Sequence, residues 1–278
     1  MSRLPNFLYV GPDKAGSSWL HEVLVKHPEV YLTPAKDLYY FDRYHDRGIE
    51  WYASQFRDAR GESVVGEVCQ DYLFHPEAAA RIHDTLGPVK VMVCLRDPVD
   101  RAWSSYLYMR KHGIGPDTFA EALASRPELL EHGRYATGLD RFLSRFPRHL
   151  VHVAVFDDLV ADPQGFLDAV TDFLDVDPLP LSPKDLAARL PAAKARSVRL
   201  ASAARRSADW VREHDGARLV GRVKRSPLVQ RALYQPIDRR AVRPPAEDVV
   251  AVRSALEPEV DALEQTFGLP LRQSWGWS

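Results

Sequence analysis

Four short apolar stretches, at residues 7–10, 64–68, 89–95 and 151–156, recur along the chain with helical patterns between most of them. That alternation predicts an α/β fold: a single domain with a central, mainly parallel sheet flanked by helices. The run Val89-Lys90-Val91-Met92-Val93-Cys94-Leu95 is nearly continuous in apolar character, so it reads as a central strand buried on both faces. Arg96 then falls at its carboxyl end, where open α/β sheets hold ligands. Pro98 suits the first turn of a following helix, and Ser104 lies within roughly two turns of Arg96. Further apolar stripes, Phe166/Val170/Phe173/Leu174 and Leu256/Val260/Leu263/Phe267, mark packing helices.

The first apolar stretch runs into a second anion signature. Gly11 is followed by four residues, then Gly16, Ser17 and Ser18, with Leu20, Val23 and Leu24 continuing at helical spacing. A strand, a tight glycine loop and a helix start point unpaired backbone N–H groups at an anion, a P-loop-like topology. The spacing resembles the nucleotide-hydrolase P-loop, except that serine stands where that loop carries lysine and the basic group sits earlier, at Lys14. No later segment reads as a strand ending in a magnesium-holding aspartate, which disfavours a small-molecule kinase or an ATP or GTP hydrolase.

Composition narrows the class. The chain has 278 residues, 45% hydrophobic and 27% charged, and is read as one domain over 1–278. A formal net charge of −1 argues against nucleic acid as a partner. The first residues lack a signal-peptide layout and no apolar run is long enough to span a bilayer, so the expectation is a cytoplasmic protein without a membrane span. Cys69 and Cys94 sit in or beside apolar runs and read as buried thiols. Between Arg189 and Arg243 fifteen Lys or Arg face four Asp or Glu, a basic stretch that reads mainly as a solvated helical face. Pro178, Pro180, Pro183 and Pro191 break any regular element from Asp175 to Pro191, which reads as a linker or lid base; the wider stretch 175–245 is expected to hold a helical lid and cofactor-covering segment. Composition leaves the oligomeric state open.

Lys14, followed by Gly16, Ser17, Ser18 and Trp19, resembles the 5′-phosphosulfate loop of sulfotransferases that use 3′-phosphoadenosine 5′-phosphosulfate (PAPS). Arg96-Asp97-Pro98, with Arg101 and Ser104, resembles the same family's 3′-phosphate site. Lys36-Asp37-Leu38-Tyr39-Tyr40-Phe41-Asp42 with Gly48-Ile49-Glu50-Trp51-Tyr52 is similar to the substrate-facing segment of carbohydrate O-sulfotransferases of the heparan sulfate kind, written Lys-Glu-x-His-Phe-Phe-Asp and Gly-Ile-Glu-Trp-Tyr. Gly66-Glu67, Tyr72-Leu73, Arg243-Pro244-Pro245 and the tail with Trp275 and Trp277 extend the likeness over most of the chain.

The resemblance implies an O-sulfotransferase moving a sulfuryl group from PAPS to a hydroxyl of a sugar or secondary metabolite by in-line displacement, with a noncatalytic PAPS or adenosine 3′,5′-bisphosphate (PAP) binder as the alternative. It implies a nucleotide held by Lys14, Ala15, Gly16, Ser17, Ser18 and Trp19 at the 5′ end and by Arg96 and Ser104 at the 3′ end. Tyr234, Arg239 and Arg240 fall where the family's covering loop belongs, although its usual Lys-Gly-Arg run is missing. Lys14 would stabilise charge growing on the bridging oxygen, and no metal is chemically required. Asp37 stands where the family places a glutamate base, with Glu67 and His45 as competing candidates. Tyr39, Tyr40, Trp51 and Glu67 are the expected acceptor-side residues. The family's lysine after that glutamate is Val68 here, which argues against a highly anionic acceptor.

Overall fold

The computed structural model describes residues 3–187, 193–195, 234–236 and 243–277. Its frame is a five-stranded sheet in the order β2-β3-β1-β4-β5, built from β1 (Phe7–Gly11), β2 (Val30–Leu32), β3 (Val64–Val68), β4 (Lys90–Leu95) and β5 (Val151–Val155). Every pairing is parallel: Phe7 faces Gly66 on one side and Lys90 on the other, and Val91 faces Val151. β1, β3 and all of β4 after Lys90 are buried, as near-continuous apolar strands covered on both faces must be.

Helices lie on both faces. α1 (Ser17–Leu24) and the later helix Pro163–Leu174 pack Trp19, Leu20, Val23, Phe166, Leu167 and Val170 against Phe7, Tyr9, Met92 and Cys94. The opposite face carries α2 (Gly48–Ser54), α3 (Ala78–Leu86), α4 (Pro98–His112), the helix Tyr135–Leu143 and the long C-terminal helix Ala246–Phe267. The expected fold class is therefore the observed one. No helix among the described residues is long and apolar enough to cross a membrane.

Three local readings are corrected. β2 went unexpected, because three residues with Tyr31 half-buried show no strand period. Phe156 begins a helix, Phe156–Ala161, instead of ending β5, since Asp157 and Asp158 place two acids in a first turn that favours negative charge. Within the proline-rich stretch, Pro183 opens the one-turn helix Pro183–Ala187, a position proline tolerates. Cys69 and Cys94 are buried free thiols.

Candidate active site

β1 and β4 are neighbours, so the loop leaving the first and the arginine ending the second meet at the carboxyl edge of the sheet. Arg96 donates from Nη1 to the Lys14 carbonyl oxygen at 2.7 Å. The two anion signatures, far apart in sequence, thus share one site. The Arg96 guanidinium also stacks on the Phe156 ring at 4.8 Å and approaches Asp100 at 3.6 Å, while its Nε is buried with no hydrogen-bond partner among the described residues.

The loop itself is built for close backbone approach. Gly16 has φ +88°, and a Cβ there would fall 2.7 Å from Leu159 Cδ2, so the residue before α1 must be glycine. No side chain caps α1, which leaves its first-turn N–H groups available to an anion. Asp13 is pinned from below: the buried Arg101 donates to Oδ1 at 3.0 Å and Ser105 to Oδ2 at 3.1 Å. Burial alone would raise the Asp13 carboxyl, but Arg101, His132 and Lys14 together hold it well below the ordinary carboxylate range. That permanent charge keeps the loop anchored to α4.

Lys14 is in the left-handed region at φ +61°, and its ammonium lies 3.7 Å over the Tyr108 ring. Tyr108 is one helical turn beyond Ser104, so the two project from the same face of α4. Burial holds the Lys14 amine below its ordinary value, with Lys36 pushing the same way and Asp13 and Asp37 opposing.

The segment between β2 and α2 forms the other wall. Asp37 adopts φ +62°, donates its N–H to the Val68 carbonyl at 2.8 Å and accepts the Gln70 N–H on Oδ1 at 3.3 Å. Aspartate enters this backbone region more readily than longer side chains, which gives the shorter carboxylate a local reason. Of the four non-glycine residues with positive φ among the described residues, Lys14, Asp37 and Tyr39 all belong to this site. Such backbone strain gathers where the surrounding structure holds functional groups in place.

Lys36, which sequence reasoning quoted in a motif without assigning it a role, reaches across the site. Its Nζ donates to Ser17 Oγ at 2.9 Å and Ser18 Oγ at 3.0 Å. The contact depends on β2 pairing with β3 and β3 with β1 in space, so no local pattern announces it.

Other expected site residues stand elsewhere. Glu67 has no exposed surface; Tyr52 and Tyr72 donate hydroxyls to its two oxygens at 2.8 and 2.9 Å, and the Leu38 N–H adds a third bond at 3.2 Å. Burial pushes its carboxyl up to about 8. The acceptor-facing reading of Glu67 is therefore corrected: it is an internal brace under the Lys36 to Tyr40 segment. Tyr40 is also core, 2% exposed and stacked on Tyr52 at 4.4 Å. His45 packs its ring on Tyr40, and the Trp19 indole turns away to donate to the Asp185 carbonyl at 3.1 Å, leaving only its backbone beside the loop. Ala15 is buried, while Tyr39 and Trp51 are half-buried, with Arg43 over the Tyr39 ring at 4.0 Å and Arg47 over Trp51 at 4.8 Å. Asp71 pairs with Arg43, and burial raises its carboxyl to about 6. Arg239 and Arg240 lie outside the described residues, as does most of 175–245; Tyr234 is described only as backbone of a short antiparallel pair, Ala193–Ala195 with Tyr234–Pro236.

The chain's tail closes over the end of β4. Trp277 donates to Asp97 Oδ2 at 3.0 Å and Trp275 to Asp157 Oδ2 at 3.1 Å, while Asp97 caps α4 through the Val99 and Asp100 N–H groups. This fixes the residue next to Arg96.

Comparison with known proteins agrees with this geometry. The family model described as sulfotransferase domain matches residues 4–216. The human protein named heparan sulfate glucosamine 3-O-sulfotransferase 6 is 34% identical over 188 residues, covering 62% of this chain and 52% of that one. The human bifunctional heparan sulfate N-deacetylase/N-sulfotransferase 3 is 33% identical over 205 residues, covering 63% of this chain and 23% of that one. The chain thus spans about half the length of the former and less than a quarter of the latter. Among solved structures, a sulfotransferase from Alicyclobacillus acidocaldarius superposes with a TM-score of 0.60 at 26% identity, covering 82% of this chain and 99% of that one.

Proposed function

The chain belongs to the sulfotransferase domain family, and on that premise we propose that it is an O-sulfotransferase using PAPS, acting on a hydroxyl of a sugar or secondary metabolite. One observation carries the reading: the Arg96 guanidinium on the Lys14 carbonyl puts both anion sites within reach of one bisphosphorylated nucleotide. The residues fit such a ligand. Uncapped first-turn N–H groups of α1 with the Ser17 and Ser18 hydroxyls suit the 5′-phosphate, and Arg96 with Ser104 suits the 3′-phosphate. A sugar acceptor is supported by what the relatives' names state of those proteins, and Val68 in place of the family lysine favours a less anionic one.

The transfer balances simply. The acceptor oxygen bonds to sulfur, its proton passes to the Asp37 carboxylate, and the sulfur–oxygen bond to the 5′-phosphate breaks with its electron pair left on that phosphate oxygen. Lys14 neutralises the growing charge there. Asp37 is the available carboxylate, since the Glu67 oxygens are both occupied inside the core.

The test is turnover of PAPS to PAP over a panel of neutral sugars, sulfated oligosaccharides and phenols. The expected outcome is acceptor-dependent PAP formation; PAP binding without turnover on any acceptor would instead support a noncatalytic binder.

A further inference from the structure

Lys36 belongs to the wall that carries Asp37, yet its ammonium ends on the opposite wall, at 2.9 Å from the Ser17 hydroxyl and 3.0 Å from that of Ser18. Both hydroxyls sit in the first turn of α1, where the uncapped helix start awaits an anion. An anion on the Ser17 and Ser18 hydroxyls lies within reach of the Lys36 ammonium, which ties the segment carrying Asp37 to the start of α1. Lys14 is held by different partners, its carbonyl tied to Arg96 and its amine over Tyr108.

Resting on the reading above, we propose that Lys36 is a second catalytic cation, contacting the transferring sulfonate from the acceptor side while Lys14 serves the bridging oxygen. Its neighbour Asp37 is held by the Val68 carbonyl and the Gln70 N–H, so a sulfonate engaged by Lys36 lies next to the carboxylate that takes the acceptor proton. The two serine hydroxyls hold the ammonium at the start of α1, where the sulfonate oxygens would join or replace them.

The sulfonate distinguishes PAPS from PAP, so binding without an acceptor isolates the contact. Calorimetric titrations of PAPS and PAP into wild type, Lys36→Met and Lys36→Gln should show PAPS affinity falling about tenfold in both variants, and PAP affinity changing less than about threefold, the size of losing one charge-assisted contact. Lys36→Arg should retain most of the PAPS preference, and the variants should unfold at the wild-type temperature. Equal losses for PAPS and PAP, or no loss for either, would overturn the proposal. Failure of the wild type to bind either nucleotide would instead refute the reading on which it rests.

Discussion

The Arg96 Nη1 and the Lys14 carbonyl oxygen are 2.7 Å apart, joining the end of β4 to the loop after β1 by a single charge-assisted bond. Arg96 thereby supports the Lys14 backbone at φ +61°, and under the proposed function the rest of its guanidinium would serve the 3′-phosphate.

Arg96→Ala should weaken PAP binding by about tenfold or more, the cost of a lost charge-assisted contact. Adenosine 5′-phosphosulfate, which has no 3′-phosphate, should lose less. Calorimetry with both nucleotides checks the assignment, and equal losses would place the effect in the loop instead of the 3′ site.

Lys14→Ala should lower kcat far more than PAP affinity, because charge on the bridging oxygen develops in the transition state. Burial holds the wild-type amine below the ordinary lysine value. Since the charged form is the useful one, activity should fall on the alkaline side earlier than a free lysine would deprotonate. Lys14→Arg should shift that fall to higher pH, as a pH–kcat profile would show.

Asp37→Asn should abolish turnover and leave PAP binding intact, since the amide oxygen can still accept the Gln70 N–H but cannot take a proton. A parallel loss of PAP affinity would mean that the residue holds the loop and is not the base.

Glu67 couples stability to pH. Burial raises its carboxyl from the ordinary 4.5 to about 8, so between those values the folded chain binds more protons than the unfolded one. Its contribution is therefore fully present below the unfolded value, declines as pH rises, and is lost above about 8. Glu67→Gln should flatten this dependence in thermal unfolding. Glu67→Ala should destabilise by about 2–4 kcal/mol, because two tyrosine hydroxyls and the Leu38 N–H lose their buried acceptor.

The sheet was legible in the sequence wherever a strand is buried on both faces, as in the runs containing Val10, Val65 and Val93, and the run from Val151 marked the half-buried edge strand β5 as well. β2 was not, because three residues cannot display a period. The same distinction divides the site. Lys14, Gly16 and Arg96 follow from local turns, since a loop after a strand and a cation at a strand end are set by neighbouring residues. Glu67 and Lys36 do not: one is enclosed by Tyr52 and Tyr72, the other crosses to Ser17 and Ser18, and these arrangements arise only when the segment after β2 is laid beside β3 and β3 beside β1. Tyr40 read as an acceptor-side residue but is packed on Tyr52 in the core, because residue type alone does not tell which ring faces inward.

The most direct measurement is calorimetric titration of PAP, with ATP as comparator, into the protein without added magnesium. The expected result is saturable PAP binding at one site per chain, with ATP weaker by about a hundredfold, in keeping with a built 3′-phosphate site worth two or more charge-assisted bonds. No PAP binding, or ATP binding of equal strength, would contradict the claim that Lys14 and Arg96 grip the two ends of one nucleotide.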